Sequence, residues 1–335
     1  MPARPRLSVV IPTHNRPDLV RRLVRNLWEI GLEEFDLGPE GLEVIVVDDS
    51  STPPLELEDK RCRTVRLDTS SGQSRARNAG AREARGRLIA FADDDTILLP
   101  GGWGALLSIL ERDEAAWVGP KVIPPSWEPA HGNNVLTVDA LGTQFIATRR
   151  DRFEAVGQFN EGVQALMDFD ISLRARQAGD RLLMYTGAVL VHDDQRATFR
   201  LGAVRFHDWI SETPQIWART GGASRDLTAW ETNAYCAALY PRHRAAGFAA
   251  RILQPEPIWR AFVRFLPREP RPRIVGRALG ALARYRGARI GLRAVSSEEQ
   301  RALRAACREA RGRGEPDRVI SSVPFDGATE QPDSS

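Results

Sequence analysis

The residues of this chain best suited to chemistry are three consecutive aspartates, Asp93, Asp94 and Asp95. They follow an apolar run, 87–91, that predicts a buried strand. Neighbouring carboxylates at a strand end repel one another and lose hydration, so something positive has to neutralise them. A divalent cation that holds a diphosphate would do so through oxygen ligands. The alternative is an ordinary turn, because aspartate is common in turns and helix caps.

The elements that must position these aspartates alternate between strands and helices. Short apolar runs rich in β-branched residues predict buried parallel strands at 7–11, 43–47, 64–67 and 87–91. Pro12 and the polar Thr13 follow the first strand, and the acidic Asp48-Asp49 follow the second. This pattern predicts an α/β protein with an open, mostly parallel, doubly wound (Rossmann-like) sheet. Ligands bind outside the carboxyl ends of the strands in such sheets.

Local signals predict several other elements. Asn15 is placed to cap a first helix, with Pro17 in its first turn and Asp18 favourable to its dipole. Residues 124–135 are rich in proline, glycine and asparagine and predict a loop. Residues 143–147 predict a strand in which polar and apolar positions alternate.

Two later residues are further candidates for chemistry. Asp168 opens a predicted helix, where the dipole would keep its carboxylate ionised, and His192 ends the last predicted strand. Each has a plainer explanation, since Asp168 could cap its helix and a lone histidine is usually structural. Asp170 is interpreted as structural, paired with Arg174 one turn later. The remaining histidines, also interpreted as structural, are His14, His131, His207 and His243.

Together these segments resemble the family 2 glycosyltransferases, an inverting group with the GT-A fold that uses nucleotide sugars. The resemblance covers more than half of the chain, from Leu7 to about His192. Its blocks are Val9–Pro17 (VVIPTHNRP), Val44–Ser51 (VIVVDDSS), Ala76–Gly80 (ARNAG), Ile89–Asp95 (IAFADDD), Ala155–Glu161 (AVGQFNE) and Asp168–Arg174 (DFDISLR), followed by His192. Each block alone is a weak signal, whereas six in order are a strong one.

The resemblance implies a role for each matching residue. The nucleotide-sugar-binding residues would be Pro12, Thr13, Asp49, Arg77, Asp93 and Asp94. Asp93, Asp95 and His192 would hold Mn²⁺ or Mg²⁺, and imidazole suits Mn²⁺ better. Asp168 matches the general base that takes the proton of the acceptor hydroxyl. The implied reaction is an inverting, metal-dependent transfer of a sugar from a nucleoside diphosphate sugar to a hydroxyl of a glycan, lipid-linked or small-molecule acceptor.

One position departs from the family pattern, since Met167 stands where a glutamate commonly precedes the base. The aspartate assigned as base is retained, but the acceptor contacts near Met167 are open. The departure favours one alternative, a catalytically inactive protein of this type that only binds nucleotide sugars. A nucleotidyltransferase is a second alternative. That class has a Gly-rich loop containing Lys or Arg after its first strand, and Pro12-Thr13-His14-Asn15 is not such a loop.

Composition indicates the class and the compartment. The chain has 335 residues, 42% hydrophobic and 27% charged, as is typical of globular proteins. Its cysteines, Cys62, Cys236 and Cys307, are widely spaced, which favours a reducing compartment and argues against a cysteine metal site. Neither a signal-peptide pattern nor an apolar stretch of about 18 residues is found. We therefore expect a cytoplasmic protein, with contact to the inner face of the membrane as an open option.

The sequence predicts three regions: a GT-A catalytic domain (1–220), an Arg-rich helical region (221–314) and a disordered polar tail (315–335). Between Arg242 and Arg293 there are thirteen arginines and two acidic residues. Segments 258–265 and 274–290 have the pattern of basic amphipathic helices. This composition suits an anionic membrane surface, or an Arg-rich face packed on the catalytic domain or on another copy. A nucleic-acid patch is the third reading, and we expect no nucleic-acid partner.

Overall fold

The computed structural model describes residues 5–34, 41–163, 165–193, 211–212, 214–216, 255–265 and 286–312. The chain divides into two compact units, 1–195 and 196–335. The predicted domain boundary at 220 and the predicted disordered tail lie outside the described residues, so both stay predictions. The predicted helix 274–290 is described only from residue 286 onward, where the chain is helical.

Nine strands form one sheet among the described residues of the first unit. They are β1 (Leu7–Thr13), β2 (Leu42–Asp48), β3 (Cys62–Arg66), β4 (Leu88–Ala92), β5 (Thr96–Leu98), β6 (Ala116–Ile123), β7 (Val135–Thr137), β8 (Phe145–Arg149) and β9 (Arg181–His192). Their order is β3-β2-β1-β4-β8-β6-β9-β5, and β7 also pairs with β9. Six strands run in one direction, while β5, β7 and β8 run in the other. The predicted α/β class with a mostly parallel sheet is confirmed.

Helices cover both faces of this sheet. They are α1 (Pro17–Glu33), α2 (Gln73–Glu83), α3 (Trp103–Arg112), α4 (Arg150–Ala155) and α5 (Met167–Gln177). On one face, alternate strand residues such as Val9 form a single apolar cluster with side chains of α1 and α3. On the other face, α2 approaches so closely that a Cβ added to Gly80 would lie 2.3 Å from Val10 Cγ1. There Phe91 also packs on Phe153 of α4, with ring centroids 4.8 Å apart.

The predicted alternation over 143–147 is wrong. β8 begins at Phe145 and lies between β4 and β6, and its first four residues are all buried. Both faces of this strand are covered, so its polar residue must find a partner inside the protein. Thr148 Oγ1 accordingly donates to the carbonyl of Ala116 at 3.0 Å. The loop prediction for 124–135 holds up to Val135, where β7 starts.

The prediction that Asn15 caps α1 is also wrong. Arg16 is the N-cap and makes no side-chain capping bond, although Pro17 does lie in the first turn as predicted. Asn15 has a φ of 55°, and its Oδ1 accepts the N–H of Thr52 at 2.8 Å. This residue therefore joins the loop after β1 to the loop after β2, and its conformation directs the chain into α1.

The described part of the second unit is helical, with α6 (Glu256–Phe265), residues 286–293 and α7 (Ser297–Gly312). The predicted helix at 258–265 is confirmed as part of α6. Trp259 is buried, and the guanidinium of Arg286 lies 4.7 Å from the centre of its ring. Ile258 on the same helix is 45% exposed. Across the described ranges, none of the helices combines the length and the apolar character needed to span a bilayer.

Candidate active site

The carboxyl ends of β1, β2 and β4 lie side by side and carry the predicted residues. Thr13 ends β1, Asp49 follows β2, and Asp93 follows β4. His192 reaches the same edge by another route. β9 runs antiparallel to β5, the short strand after the aspartates, and this pairing sets His192 opposite Thr96. The sheet topology therefore brings together residues that are far apart in the sequence.

Asp93, Asp95 and His192 form a group that could hold a metal ion. Each offers one ligand atom, and the three atoms lie within 4.8 Å of one another. His192 Nε2 is 3.2 Å from Asp95 Oδ1. Carboxylate oxygens suit hard divalent cations, and imidazole widens the choice toward transition metals. The chemistry and spacing of this donor set fit Mn²⁺ or Mg²⁺, and the structure brings together all three residues that the sequence predicted as ligands.

Arg16 is a site residue that the sequence reasoning missed. Its Nη1 donates to Asp94 Oδ1 at 2.9 Å and to Asp95 Oδ2 at 2.7 Å. Asp94 Oδ2 accepts a second bond, from Thr13 Oγ1, at 2.6 Å. Asp94 is therefore buried and held at both oxygens by the end of β1 and the start of α1. Arg16 lies within the block Val9–Pro17, but no spacing rule assigned it a partner.

The three aspartates differ in their electrostatic surroundings. Burial would raise the pKa of Asp95, but the hydrogen bonds and charges of His192 and Arg16 outweigh it and hold that pKa below its usual value. Burial raises the pKa of Asp94, with Thr13 and Arg16 opposing. Burial likewise raises the pKa of Asp93, which Arg77 opposes and the neighbouring carboxylates reinforce. An added cation would favour the ionised form of each carboxylate, which is an electrostatic reason for a metal here.

Arg77 lies inside the protein beside Asp93. Its side chain is fully buried and makes an ion pair with Asp93. The same guanidinium lies 3.1 Å from Gln73 Oε1 and 2.9 Å from the sulfur of Met167. A methionine thus occupies the position where the resemblance leads one to expect a glutamate. Met167 carries no charge, and the ion pair of the buried guanidinium is made with Asp93.

Asp168 does not cap its helix, so that plainer explanation is wrong. The N-cap of α5 is Leu166, and Asp168 lies in the first turn with its Oδ1 accepting the N–H of Phe169 at 2.9 Å. Burial raises the pKa of Asp168 to about 6, and the charge of Asp93 adds to the effect, while backbone N–H groups and Arg77 oppose it. Such a carboxyl group is ionised near neutrality and is still basic enough to take up a proton.

The structural interpretation of Asp170 agrees with its contacts. Its Oδ2 lies 2.7 Å from Arg174 Nη2, which is the predicted pairing across one turn. Asp170 is buried, whereas Asp168 is partly exposed. Two carboxylates of one helical turn therefore have different surroundings, and Asp168 is the one that neighbours the aspartate cluster.

Asp49 and Pro12 belong to the loops around the strand ends. Asp49 accepts hydrogen bonds from the N–H of Ser71 at 2.7 Å and the N–H of Gly72 at 3.0 Å. It therefore fixes the segment that leads from β3 into α2. Pro12 is buried within β1, where it pairs with Val47. Both residues lie at the carboxyl ends of their strands, as predicted.

Comparison with known proteins identifies the class of this domain. The family model described as glycosyl transferase family 2 matches residues 8–172. The chain therefore carries a domain of glycosyl transferase family 2, as its sequence blocks suggested. This span includes the three aspartates and Asp168, whereas His192 lies beyond it.

Particular relatives can then be named. A pre-mycofactocin glycosyltransferase of Mycobacterium tuberculosis is 29% identical over 234 residues, which are 63% of this chain and 46% of that protein. The succinoglycan biosynthesis protein ExoO of Rhizobium meliloti is 37% identical over 119 residues, 33% of this chain and 31% of that protein. The chain spans about half the length of the curated relatives that it matches.

A solved structure shows the same fold. It is the mannosyltransferase PcManGT from Pyrobaculum calidifontis, in complex with GDP-Man and Mn²⁺. The TM-score is 0.51 at 17% sequence identity, and the match covers 85% of this chain and 87% of that one. At this identity the likeness concerns the fold alone, and the predicted GT-A fold class is confirmed.

Proposed function

We propose that this protein is an inverting, metal-dependent glycosyltransferase that uses a nucleoside diphosphate sugar as donor. The observation that carries the proposal is the meeting of Asp93, Asp95 and His192 at the strand ends of a family 2 domain. The GDP-Man and Mn²⁺ in PcManGT, which shares the fold, indicate the classes of ligand to expect. The acceptor is a hydroxyl group of a glycan, a lipid-linked sugar or a small molecule.

On the donor side, Asp93, Asp95 and His192 would hold Mn²⁺ or Mg²⁺. Such an ion would stabilise the negative charge that develops on the diphosphate leaving group. Arg16 favours the ionised form of Asp95, and with Thr13 it holds Asp94 in place. The proposed contacts to the nucleotide and its sugar are Pro12, Thr13, Asp49, Arg77, Asp93 and Asp94.

On the acceptor side, Asp168 is the proposed general base. The acceptor oxygen forms a bond to C1 of the sugar while the bond from C1 to the diphosphate breaks, and the electron pair of that bond leaves with the diphosphate. The acceptor proton passes to the Asp168 carboxylate. A single in-line displacement inverts the configuration at C1. The pKa of about 6 suits this role, because the group is ionised before the reaction and can hold the proton afterwards.

A two-stage experiment tests the proposal. A thermal-shift screen of UDP, GDP and dTDP with Mn²⁺ identifies the nucleotide, and the corresponding sugar donors are then assayed for hydrolysis and for transfer. The proposal predicts metal-dependent binding followed by slow donor hydrolysis. Metal-dependent binding without hydrolysis or transfer would instead support the binding-only alternative. The presence of Met167 in place of the family's glutamate favours that alternative. Failure of all three nucleotides to bind would contradict both.

We further propose that the catalytic domain extends beyond the family match to cover residues 1–220, and that the Arg-rich region 221–314 contacts anionic membrane. The support is the excess of thirteen arginines over two acidic residues between Arg242 and Arg293, and the exposure of Ile258 and Arg264 on α6. Flotation of the full chain with anionic vesicles tests this contact. Absence of co-flotation at low salt would contradict membrane contact. It would favour the alternative in which the Arg-rich face packs on the catalytic domain or on another copy.

A further inference from the structure

The residue after His192 is anchored to helix α1. Asp193 Oδ2 lies 2.8 Å from Arg22 Nη1, and the N–H of Asp193 donates to the carbonyl of Asp95 at 2.8 Å. Asp193 therefore connects the backbone of one proposed metal ligand with α1, and it is the immediate neighbour of another. A change at Arg22 would act on the end of β9, where His192 lies.

The same helix also fixes the strand that pairs with this end of β9. Asn26, one turn after Arg22, donates from Nδ2 to the carbonyl of Leu98 at 3.0 Å and accepts the Leu98 N–H at Oδ1 at 2.7 Å. Leu98 ends β5, whose first residue, Thr96, lies opposite His192. Helix α1 is thus a common support for β5, which begins directly after Asp95, and for the end of β9, which carries His192. Asn26 holds β5, and Arg22 holds the end of β9.

The Arg22–Asp193 pair differs from a loose surface ion pair. The side chain of Arg22 is 34% exposed and that of Asp193 is 19% exposed. The Nε and Nη2 atoms of Arg22 are shielded from solvent, and among the described residues neither has a hydrogen-bond partner. Ion pairs that are partly withdrawn from water are screened less by salt than surface pairs, and removing one partner leaves the other charge poorly solvated.

We infer that Arg22 is a positioning residue of the metal site, which holds His192 within reach of Asp95 through Asp193. This inference rests on the proposed function, because it assumes that His192 is a metal ligand. Without Arg22, the end of β9 loses the anchor that this side chain provides on α1, and the imidazole is less often in place beside the carboxylates. Residues that orient metal ligands typically contribute 10–100-fold to metal affinity.

Calorimetric titration of the full chain with Mn²⁺ alone tests this inference without any measurement of activity. We expect Arg22→Ala to weaken Mn²⁺ binding about tenfold. In a His192→Ala background the same substitution should have no further effect, because the ligand that it positions is already gone. Arg22→Lys, which keeps a positive charge on a similar stem, should restore part of the affinity.

Arg21→Ala is the matched control, because Arg21 lies on the same helix and makes only a surface ion pair. Its Nη1 lies 3.4 Å from Oδ1 of Asp18, whose side chain is 95% exposed. This control should bind Mn²⁺ like the wild type. If Arg22→Ala does not fold, Asp193→Asn serves for the same comparison, because it removes the other partner of the same ion pair. If wild type and Arg22→Ala bind Mn²⁺ with equal affinity, the inference about Arg22 is overturned and the proposed function is not. The same holds if Arg22→Ala lowers Mn²⁺ affinity equally in the presence and absence of His192. A wild type that does not bind Mn²⁺ would overturn the proposed metal site as well.

Discussion

Replacement of Asp168 by asparagine removes the proposed proton acceptor with little change in shape. The amide oxygen can still accept the N–H of Phe169, which now donates to Asp168 Oδ1 at 2.9 Å. The start of α5 should therefore keep its geometry, and nucleotide binding at the strand ends should be retained. Base assistance typically contributes 10²–10⁴-fold, so we expect turnover to fall by about that factor, or roughly 3–5 kcal/mol in the barrier.

The same substitution should make the protein more stable at neutral pH. The pKa of Asp168 is raised from 3.8 to about 6 by burial, so the folded protein holds this proton more tightly than the unfolded chain. The resulting stabilisation is fully present below pH 3.8 and is lost as the pH rises through about 6. Each pKa unit is about 1.4 kcal/mol, so ionising this group costs up to roughly 3 kcal/mol near neutrality. Asparagine does not bear this cost.

Two assays and one control test this prediction. Donor hydrolysis with Mn²⁺ measures turnover, and urea unfolding at neutral pH measures the free energy of unfolding. Asp170→Asn is the control, because Asp170 lies on the same helical turn but pairs with Arg174. It should lower stability and leave turnover per folded molecule nearly unchanged. An Asp168→Asn variant with turnover within about threefold of wild type would refute the assignment of the base, and a less stable one would refute the electrostatic argument.

The turnover rate of the wild type should fall about tenfold for each pH unit below about 6, because the base is then protonated, and a rate profile that stays flat to pH 5 would contradict this. Gly80→Ala should lower the free energy of unfolding by about 1–3 kcal/mol in urea titrations, since its Cβ would lie 2.3 Å from Val10 Cγ1; unchanged stability would show that α2 can shift. Arg16→Ala should lower the melting temperature by removing the guanidinium that Asp94 and Asp95 share, and Mn²⁺ should raise the melting temperature of the variant more than that of the wild type. If Mn²⁺ raises the melting temperature of both proteins equally, the idea that Arg16 and the metal neutralise the same carboxylates is contradicted.

The sequence predicted the parts of the fold that depend on local pattern. Buried parallel strands appear as continuous apolar runs, so β1, β2 and β4 could be recognised, together with the polar residues at their ends. The rule that ligands bind at the carboxyl ends of such strands then placed Asp93 and Asp49 at one edge. The α/β class and the helices on both faces followed from the same alternation.

What the sequence could not give depends on contacts between distant segments. Only the family resemblance joined His192 to Asp95, and no spacing rule connects them, because their meeting depends on the antiparallel pairing of β5 with β9. Arg16 was missed for the same reason, since only the fold brings the start of α1 to the aspartates. The prediction for Asn15 was wrong because a residue suited to capping can bond equally well to a neighbouring loop, here at Thr52.

The central claim is that Asp93, Asp95 and His192 hold a divalent ion that in turn holds the diphosphate of the donor. Calorimetric titration of wild type and Asp95→Asn with the preferred nucleoside diphosphate, with and without Mn²⁺, tests it most directly. We predict that Mn²⁺ strengthens nucleotide binding to the wild type about tenfold or more, and that Asp95→Asn binds the nucleotide with no such enhancement. Equal affinity of the wild type with and without Mn²⁺, or full enhancement in Asp95→Asn, would contradict the claim.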